Sequence, residues 1–292
     1  MTARWKTGFT MSGRGPALVL IHGVGLDLTM WDAALPILEP RFTVIRYDLI
    51  GHGATPAAGS QITLDDFVAQ LADLVDHIPV GQPNVLGFSL GGIVSRGWAA
   101  AFPQRIAKLV VLFSNAPRDE SQRGAIAARL DQLEPDGVSA TVDTAIERWF
   151  TASFIARRPQ VIEQIRATLL ANEGPGYPAA YRFFATADDV IEGLGRRISC
   201  PTLAITAEND VGSTPEMAER IAEETTHGTA HVVPGLRHMA VVESPKAVLT
   251  PVIAFFGRRG SGGNINESIM MIAWHATDLI DRRKPLDSIH RK

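Results

Sequence analysis

Short apolar runs alternate along the chain with longer segments in which apolar residues recur at helical spacing. The runs predict buried strands, because strands of a parallel sheet are covered on both faces and carry few polar residues. These runs are 17–21, 42–47, 84–86, 107–113, 202–206 and 230–233, and the residues before them are expected to add an edge strand or two. Strands that alternate with helices predict an α/β fold, with a mostly parallel central sheet flanked by helices.

Helices are predicted between these strands. Thr63 and Asp66 have the spacing of a capping box, and apolar residues follow at helical spacing up to Ile78. Further helices are predicted over 93–101, 215–223 and 245–256.

The alternation stops between about 115 and 197, where only helical patterns occur. They cover 121–133, 139–150, 159–171 and 177–185. We therefore predict a core formed by 1–115 and 198–257, with a helical cap, or lid, inserted at 116–197. Because ligands bind at the carboxyl ends of the strands in such sheets, the cap is expected to shape a pocket and to exclude water.

The last part of the chain, 258–292, has a different pattern. A Gly- and Ser-rich linker is followed by an amphipathic helical pattern. The sequence leaves open whether this helix packs on its own domain, joins two copies as a homo-oligomer, or is a gene-specific extension.

Composition narrows the functional classes. The formal net charge of −3 gives no basic field that would attract nucleic acid or an acidic membrane. No apolar run approaches the roughly 20 residues of a membrane span, and no secretory leader is recognised, so a cytoplasmic location is expected. The single cysteine, Cys200, precedes Pro201 and is expected to be structural. No zinc-ligand spacing occurs, so neither a metal nor another cofactor is implied.

The segment Gly87-Phe88-Ser89-Leu90-Gly91 matches the pattern G-x-S-x-G and lies between a predicted strand and a predicted helix. A sharp strand-to-helix turn holds such a serine in a strained conformation, and only glycine fits two positions away on either side. The serine oxygen then projects above the sheet near the helix N-terminus, whose dipole favours developing negative charge. Ser89 is therefore the predicted catalytic nucleophile.

A serine becomes a good nucleophile when a histidine removes its proton and a carboxylate orients that histidine. Asp210 and His238 each follow a predicted strand, and they come after Ser89 in the order expected for this type of turn. Glu208 is an alternative acid, but Asp210 lies closer to the entry of the next helix. We therefore predict a Ser89, Asp210 and His238 triad.

Five motifs occur in an order that resembles the α/β-hydrolase superfamily over about residues 10–257. They are His22-Gly23, the turn at 48–53, the Ser89 turn, Asp210 and His238. The resemblance implies an α/β-hydrolase fold with an inserted helical cap.

The same resemblance implies an oxyanion hole formed by the backbone amides of Val24 and Leu90. The His22 side chain is expected to brace the loop that carries Val24. Asp48 and His52 are expected to act mainly as scaffold.

A narrower resemblance is to 3-oxoadipate enol-lactone hydrolases, which open an enol-lactone that carries a carboxylate. The residues that carry it are 25–32, 148–151, 154 and 176–177. It implies that Trp31, Arg148 and Trp149 contact the substrate.

The expected activity is cofactor-independent hydrolysis of a small carboxylic ester or enol-lactone in aromatic catabolism. One of the cap arginines would bind a substrate carboxylate; the candidates are Arg148, Arg157, Arg158, Arg166 and Arg182. Two alternatives stay open because the fold and the triad do not fix the substrate. One is an amide or carbon–carbon bond hydrolase, and the other is a non-catalytic receptor for a small ligand.

Overall fold

The computed structural model describes residues 6–57, 59–172 and 174–257. At its centre lies a sheet in the order β1-β3-β2-β4-β5-β6-β7, in which β1 runs antiparallel to β3 and the other neighbours are parallel. The strands are β1 Phe9–Gly13, β2 Ala17–Ile21, β3 Thr43–Tyr47, β4 Asn84–Phe88, β5 Leu109–Leu112, β6 Thr202–Ala207 and β7 Gly228–Val233. The predicted α/β architecture and its edge strand are therefore observed.

Helices cover both faces of this sheet. Those outside the inserted segment are α1 Leu35–Leu38, α2 Leu64–His77, α3 Leu90–Ala101, α10 Pro215–Glu224, α11 Ala240–Glu243 and α12 Pro245–Gly257. The helices of the inserted segment are α4 Glu120–Asp136, α5 Val142–Trp149, α6 Ala152–Arg157, α7 Pro159–Leu170, α8 Gly176–Ala185 and α9 Asp188–Ile191. Short 3₁₀ turns occur at Leu28–Trp31, Val138–Ala140 and Leu194–Arg197.

The core has two parts because successive side chains of a strand point to opposite faces. Val19 and Ile21 of β2 pack on the face covered by α2, α3 and α10. Leu18 and Leu20 pack on the other face, which α1, α11 and α12 cover. Full burial of each such side chain stabilises the fold by roughly 1.5–3 kcal/mol.

Local signals explain where several helices begin. Thr63 and Asp66 form the predicted capping box at the start of α2, with each side chain bonded to the other's backbone amide. The helix predicted from Ile93 begins earlier, at Leu90, because the turn at Ser89 leads directly into α3. The helix predicted over 139–150 is interrupted at Thr141, between a 3₁₀ turn and α5.

The segment predicted as a cap contains helices and no strand among its described residues. Its division from the core into a separate domain stays a prediction. The predicted linker and helix at 258–292, and any oligomer formed through them, lie outside the described residues.

Candidate active site

Ser89 occupies a sharp turn between β4 and α3. Its φ of 54° and ψ of −114° are strained for a residue other than glycine. The two glycines of the motif allow the close approach of backbone that this turn needs. A Cβ atom on Gly87 would lie 2.1 Å from the carbonyl oxygen of Gly91, and one on Gly91 would lie 2.4 Å from that of Ile21.

The loop after β2 lies against this turn. A Cβ atom on Gly23 would lie 2.8 Å from the Phe88 ring and 3.2 Å from the Cβ of Ser89. Among the described residues, neither the N–H of Val24 nor that of Leu90 donates to an acceptor. Leu90 is the first residue of α3, where an amide has no acceptor within its own helix. The two predicted oxyanion donors therefore belong to adjacent backbone segments and remain unpaired.

Two buried histidines hold this loop in place. His22 accepts the N–H of Leu49 at Nε2 (2.9 Å) and donates from Nδ1 to the Gly23 carbonyl (2.8 Å). His52 accepts the N–H of Gly25 at Nε2 (2.9 Å). Burial lowers the pKa of both imidazoles, that of His52 to about 3, so both are neutral near pH 7. These contacts fit the scaffold roles expected from the sequence.

Asp48 fixes the neighbouring turn through both carboxylate oxygens. Oδ1 accepts the N–H of Leu28 and Oδ2 that of Ala54, each at 2.8 Å. This carboxylate therefore holds backbone rather than a catalytic group.

His238 and Asp210 are joined by a buried hydrogen bond of 2.7 Å between Nδ1 and Oδ2. The other oxygen of Asp210 accepts the backbone amides of Gly212 (2.9 Å) and Ser213 (3.0 Å). The carboxylate is thus held on one side by the turn after β6 while its second oxygen orients the imidazole. This is the arrangement that a catalytic histidine requires.

The alternative acid, Glu208, has a different partner. Its Oε2 accepts the N–H of Gly235 at 2.8 Å, which joins the loops after β6 and β7. It is therefore Asp210 that orients His238.

Ser89, Asp210 and His238 all line one cavity of about 60 Å³. No hydrogen bond joins Ser89 to His238 among the described residues. Catalytic hydrogen bonds are often long in a ligand-free enzyme and shorten when substrate binds. The inserted segment contributes Arg118, Ile126, Arg129, Arg148, Trp149, Tyr181 and Phe184 to the lining.

Arginine side chains give the cavity a positive character. Arg148 has no hydrogen-bond acceptor or salt-bridge partner among the described residues. Burial lowers its pKa first, and the positive charge of Arg129 lowers it further. Arg118 is paired with Asp188 across 3.1 Å, and Arg129 donates weakly to the Tyr181 hydroxyl at 3.4 Å. Arg148 is therefore a partly desolvated cation that an anion in the cavity would stabilise.

Not every residue expected to contact substrate lies in the cavity. Arg148 and Trp149 line it, and the Trp149 ring centroid lies 6.0 Å from that of His238. Trp31, in contrast, is fully buried in the core, with its ring 6.4 Å from that of Phe88 and nearly perpendicular to it. The expectation for Trp31 is wrong because its 3₁₀ turn packs this side chain against the sheet.

The sequence did not show which of the arginines in the predicted cap face the cavity. Arg157, Arg158 and Arg166 point to the surface, where Arg166 pairs with Asp143. The cavity-lining Arg118, Arg129 and Tyr181 were missed. Their spacing along the chain carries no signal that would separate them from solvated residues nearby in the sequence.

Comparison with known proteins adds an independent line of evidence. Residues 16–131 match a family model described as the alpha/beta hydrolase fold. An (E)-2-((N-methylformamido)methylene)succinate hydrolase from Acinetobacter baylyi is 31% identical over 236 residues, which are 81% of this chain and 88% of the relative. The chain belongs to the α/β-hydrolase family. This α/β-hydrolase is thus an enzyme of the hydrolase class.

Other relatives of this α/β-hydrolase include enol-lactonases. The 3-oxoadipate enol-lactonase 2 of the same bacterium is 30% identical over 80% of this chain and 85% of the relative. The crystal structure of an enol-lactonase from Burkholderia xenovorans matches with a TM-score of 0.80 and 25% identity, over 87% of this chain and 97% of that one. The predicted fold class and the resemblance to 3-oxoadipate enol-lactonases are therefore confirmed.

Two further properties concern the described part of the α/β-hydrolase only. In residues 6–57, 59–172 and 174–257, no helix combines the length and the apolar character needed to cross a membrane. The His, Cys, Asp and Glu side chains of the same ranges form no group of three or more that could hold a metal ion.

Proposed function

We propose that this chain is a cofactor-independent serine hydrolase that cleaves a small ester or enol-lactone bearing a carboxylate, as an enzyme of aromatic catabolism would. The hydrogen bond between Asp210 and His238 carries the proposal. Both residues line the same cavity as Ser89, which lies in a strained turn and is adjoined by two unpaired backbone amides.

The residues suggest two acyl-transfer steps. His238 takes the proton of Ser89 while the serine oxygen attacks the carbonyl carbon, and the amides of Val24 and Leu90 stabilise the oxyanion. His238 then protonates the leaving oxygen, which in a lactone stays attached to the same molecule. In the second step His238 activates water, which releases the acid and restores Ser89. Asp210 keeps the imidazole in the correct tautomer and stabilises its charged form.

The carboxylate of the substrate is assigned to Arg148, with Arg129 beside it. Both guanidinium groups line the cavity with Ser89, and Arg148 lacks a partner within the described chain. A carboxylate bound there would relieve the repulsion between the two cations. A charged hydrogen bond of this kind contributes about 1.5–3 kcal/mol.

A second candidate is hydrolysis of an amide in an equally small, carboxylated substrate. It is favoured by the named substrate of the Acinetobacter baylyi hydrolase, which contains both a formamido group and a succinate. The same residues would serve, with His238 protonating a nitrogen leaving group.

The test compares a carboxylated and a neutral substrate with acyl chains of the same carbon number. We expect Ser89→Ala to lose hydrolysis by about 10³-fold or more. Arg148→Ala should lower kcat/KM for the monoaryl ester of succinic acid by about 10- to 100-fold, while an aryl butyrate is cleaved almost as before. Arg166→Ala, on the cap surface, is the control. Full activity of the Ser89→Ala protein would refute the serine mechanism, and equal losses on both esters would refute the carboxylate site.

A further inference from the structure

The C-terminal turn of α5 brings two side chains to the cavity. Arg148 and Trp149 are consecutive residues at the end of this helix, and both line the space beside Ser89. The Trp149 ring also lies 6.0 Å from the imidazole of His238. This turn therefore touches both the proposed anion site and the proposed base.

The residue before His238 is fastened to the same turn. Arg237 donates from Nη1 to the carbonyl oxygens of Glu147 (2.6 Å) and Phe150 (3.3 Å). The last carbonyls of a helix have no donor within the helix and carry its partial negative charge, so a guanidinium is well suited to bind them.

The residue after His238 is fastened there as well. The N–H of Met239 donates to the carbonyl of Trp149 at 2.9 Å. The imidazole thus lies between two residues that are both bonded to α5. Its position depends on α5 as well as on Asp210.

A further contact extends this attachment beyond α5. Glu243, at the end of α11, accepts the N–H of Thr151 at 3.0 Å and also the hydroxyl of Thr151. Since α11 begins directly after Met239, the end of α5 and the chain around His238 are held together over several residues.

We infer that Arg237 is a positioning residue that couples binding of an anion at Arg148 to the alignment of His238 with Ser89. The inference rests on the proposed function of that site. A carboxylate at Arg148 holds the last turn of α5 from the cavity side. Arg237 and Met239 are bonded to the carbonyls of the same turn and pass its position to the imidazole. A misplacement of about 1 Å at a catalytic group can cost about 100-fold in rate, so a small shift of this turn matters.

The test uses Arg237→Ala, Arg237→Lys and a matched control, Arg41→Ala. Arg41 is exposed and also donates to a helix-end carbonyl, that of Ile37 at 3.1 Å, but it lies outside the cavity lining. With a monoaryl succinate, we expect Arg237→Ala to lower kcat about 10-fold and to change KM by less than about twofold. Arg237→Lys should recover part of the loss because it retains a cationic donor, and Arg41→Ala should behave as wild type.

A double-mutant cycle with Arg148→Ala gives the readout that a purely structural role would not change. If occupation of the anion site acts through Arg237, the kcat effects of the two substitutions on the succinate ester are non-additive. In the Arg148→Ala background, Arg237→Ala should then have little further effect. A neutral fluorophosphonate leaves the anion site empty, so Arg237→Ala should be labelled at Ser89 at close to the wild-type rate.

Additive effects, or equal kcat losses on the succinate ester and on an aryl butyrate, would overturn the coupling and leave the proposed function intact. Retained hydrolysis by Ser89→Ala would instead overturn the proposed function. Thermal unfolding shows whether each variant folds. Should Arg237→Ala fail to fold, Arg237→Gln takes its place in the same cycle.

Discussion

The ion pair between Arg118 and Asp188 fastens the start of α4 to the start of α9. The two side chains are only 4% and 10% exposed. Asp188 also accepts the backbone N–H of Arg118 at 2.7 Å, so removal of its carboxylate leaves both a buried cation and a buried amide without this partner. Such a loss costs about 3–5 kcal/mol. Arg118 retains the Phe184 carbonyl at 3.2 Å, which places Asp188→Ala towards the lower end of that range.

The inserted segment contains a second ion pair that provides a matched control. Arg166 and Asp143 are 29% and 73% exposed, and an exposed pair of this kind contributes about 0–1 kcal/mol. Chemical denaturation of Asp188→Ala and Asp143→Ala should therefore separate the two by about 2–4 kcal/mol in the free energy of unfolding. Asp188→Asn should fall between them, because its amide oxygen can still accept the N–H of Arg118. An Asp188→Ala protein that loses no more stability than Asp143→Ala would show that the buried ion pair does not stabilise the fold as expected.

Two further predictions concern the loops around Ser89. Gly91→Ala would place a Cβ atom 2.4 Å from the Ile21 carbonyl, which is backbone and cannot turn aside. We expect it to destabilise the protein by at least about 1–3 kcal/mol and to lower kcat, whereas Gly124→Ala, with open space around it, should do neither. His52 should make stability fall as the solution is acidified. The unfolded imidazole takes up a proton below about pH 6.5, but the folded one does so only near pH 3, so each pH unit in that window favours unfolding by up to about 1.4 kcal/mol. Urea unfolding between about pH 7 and 5 should show a shallower pH slope in His52→Gln, and an unchanged slope would contradict the assignment.

The sequence determined the order of the elements and located the candidate catalytic residues along the chain. Apolar runs gave the strands, because a strand between two helical layers must be apolar on both faces. Local rules also located the capping box at Thr63 and the glycines around Ser89, since each depends on neighbours within a few residues. Asp210 and His238 could be chosen because each follows a strand of the predicted sheet.

Only the tertiary structure decided which cap side chains face Ser89. An arginine in a solvated helix and one in a cavity have the same sequence signal, because the difference lies in how the helix is rotated against elements distant in the chain. Arg148 faces the cavity while Arg166 faces solvent, and Trp31 packs into the core rather than the pocket. The bonds from Arg237 and Met239 to α5 likewise join residues about 90 positions apart, and no local pattern encodes such a pairing.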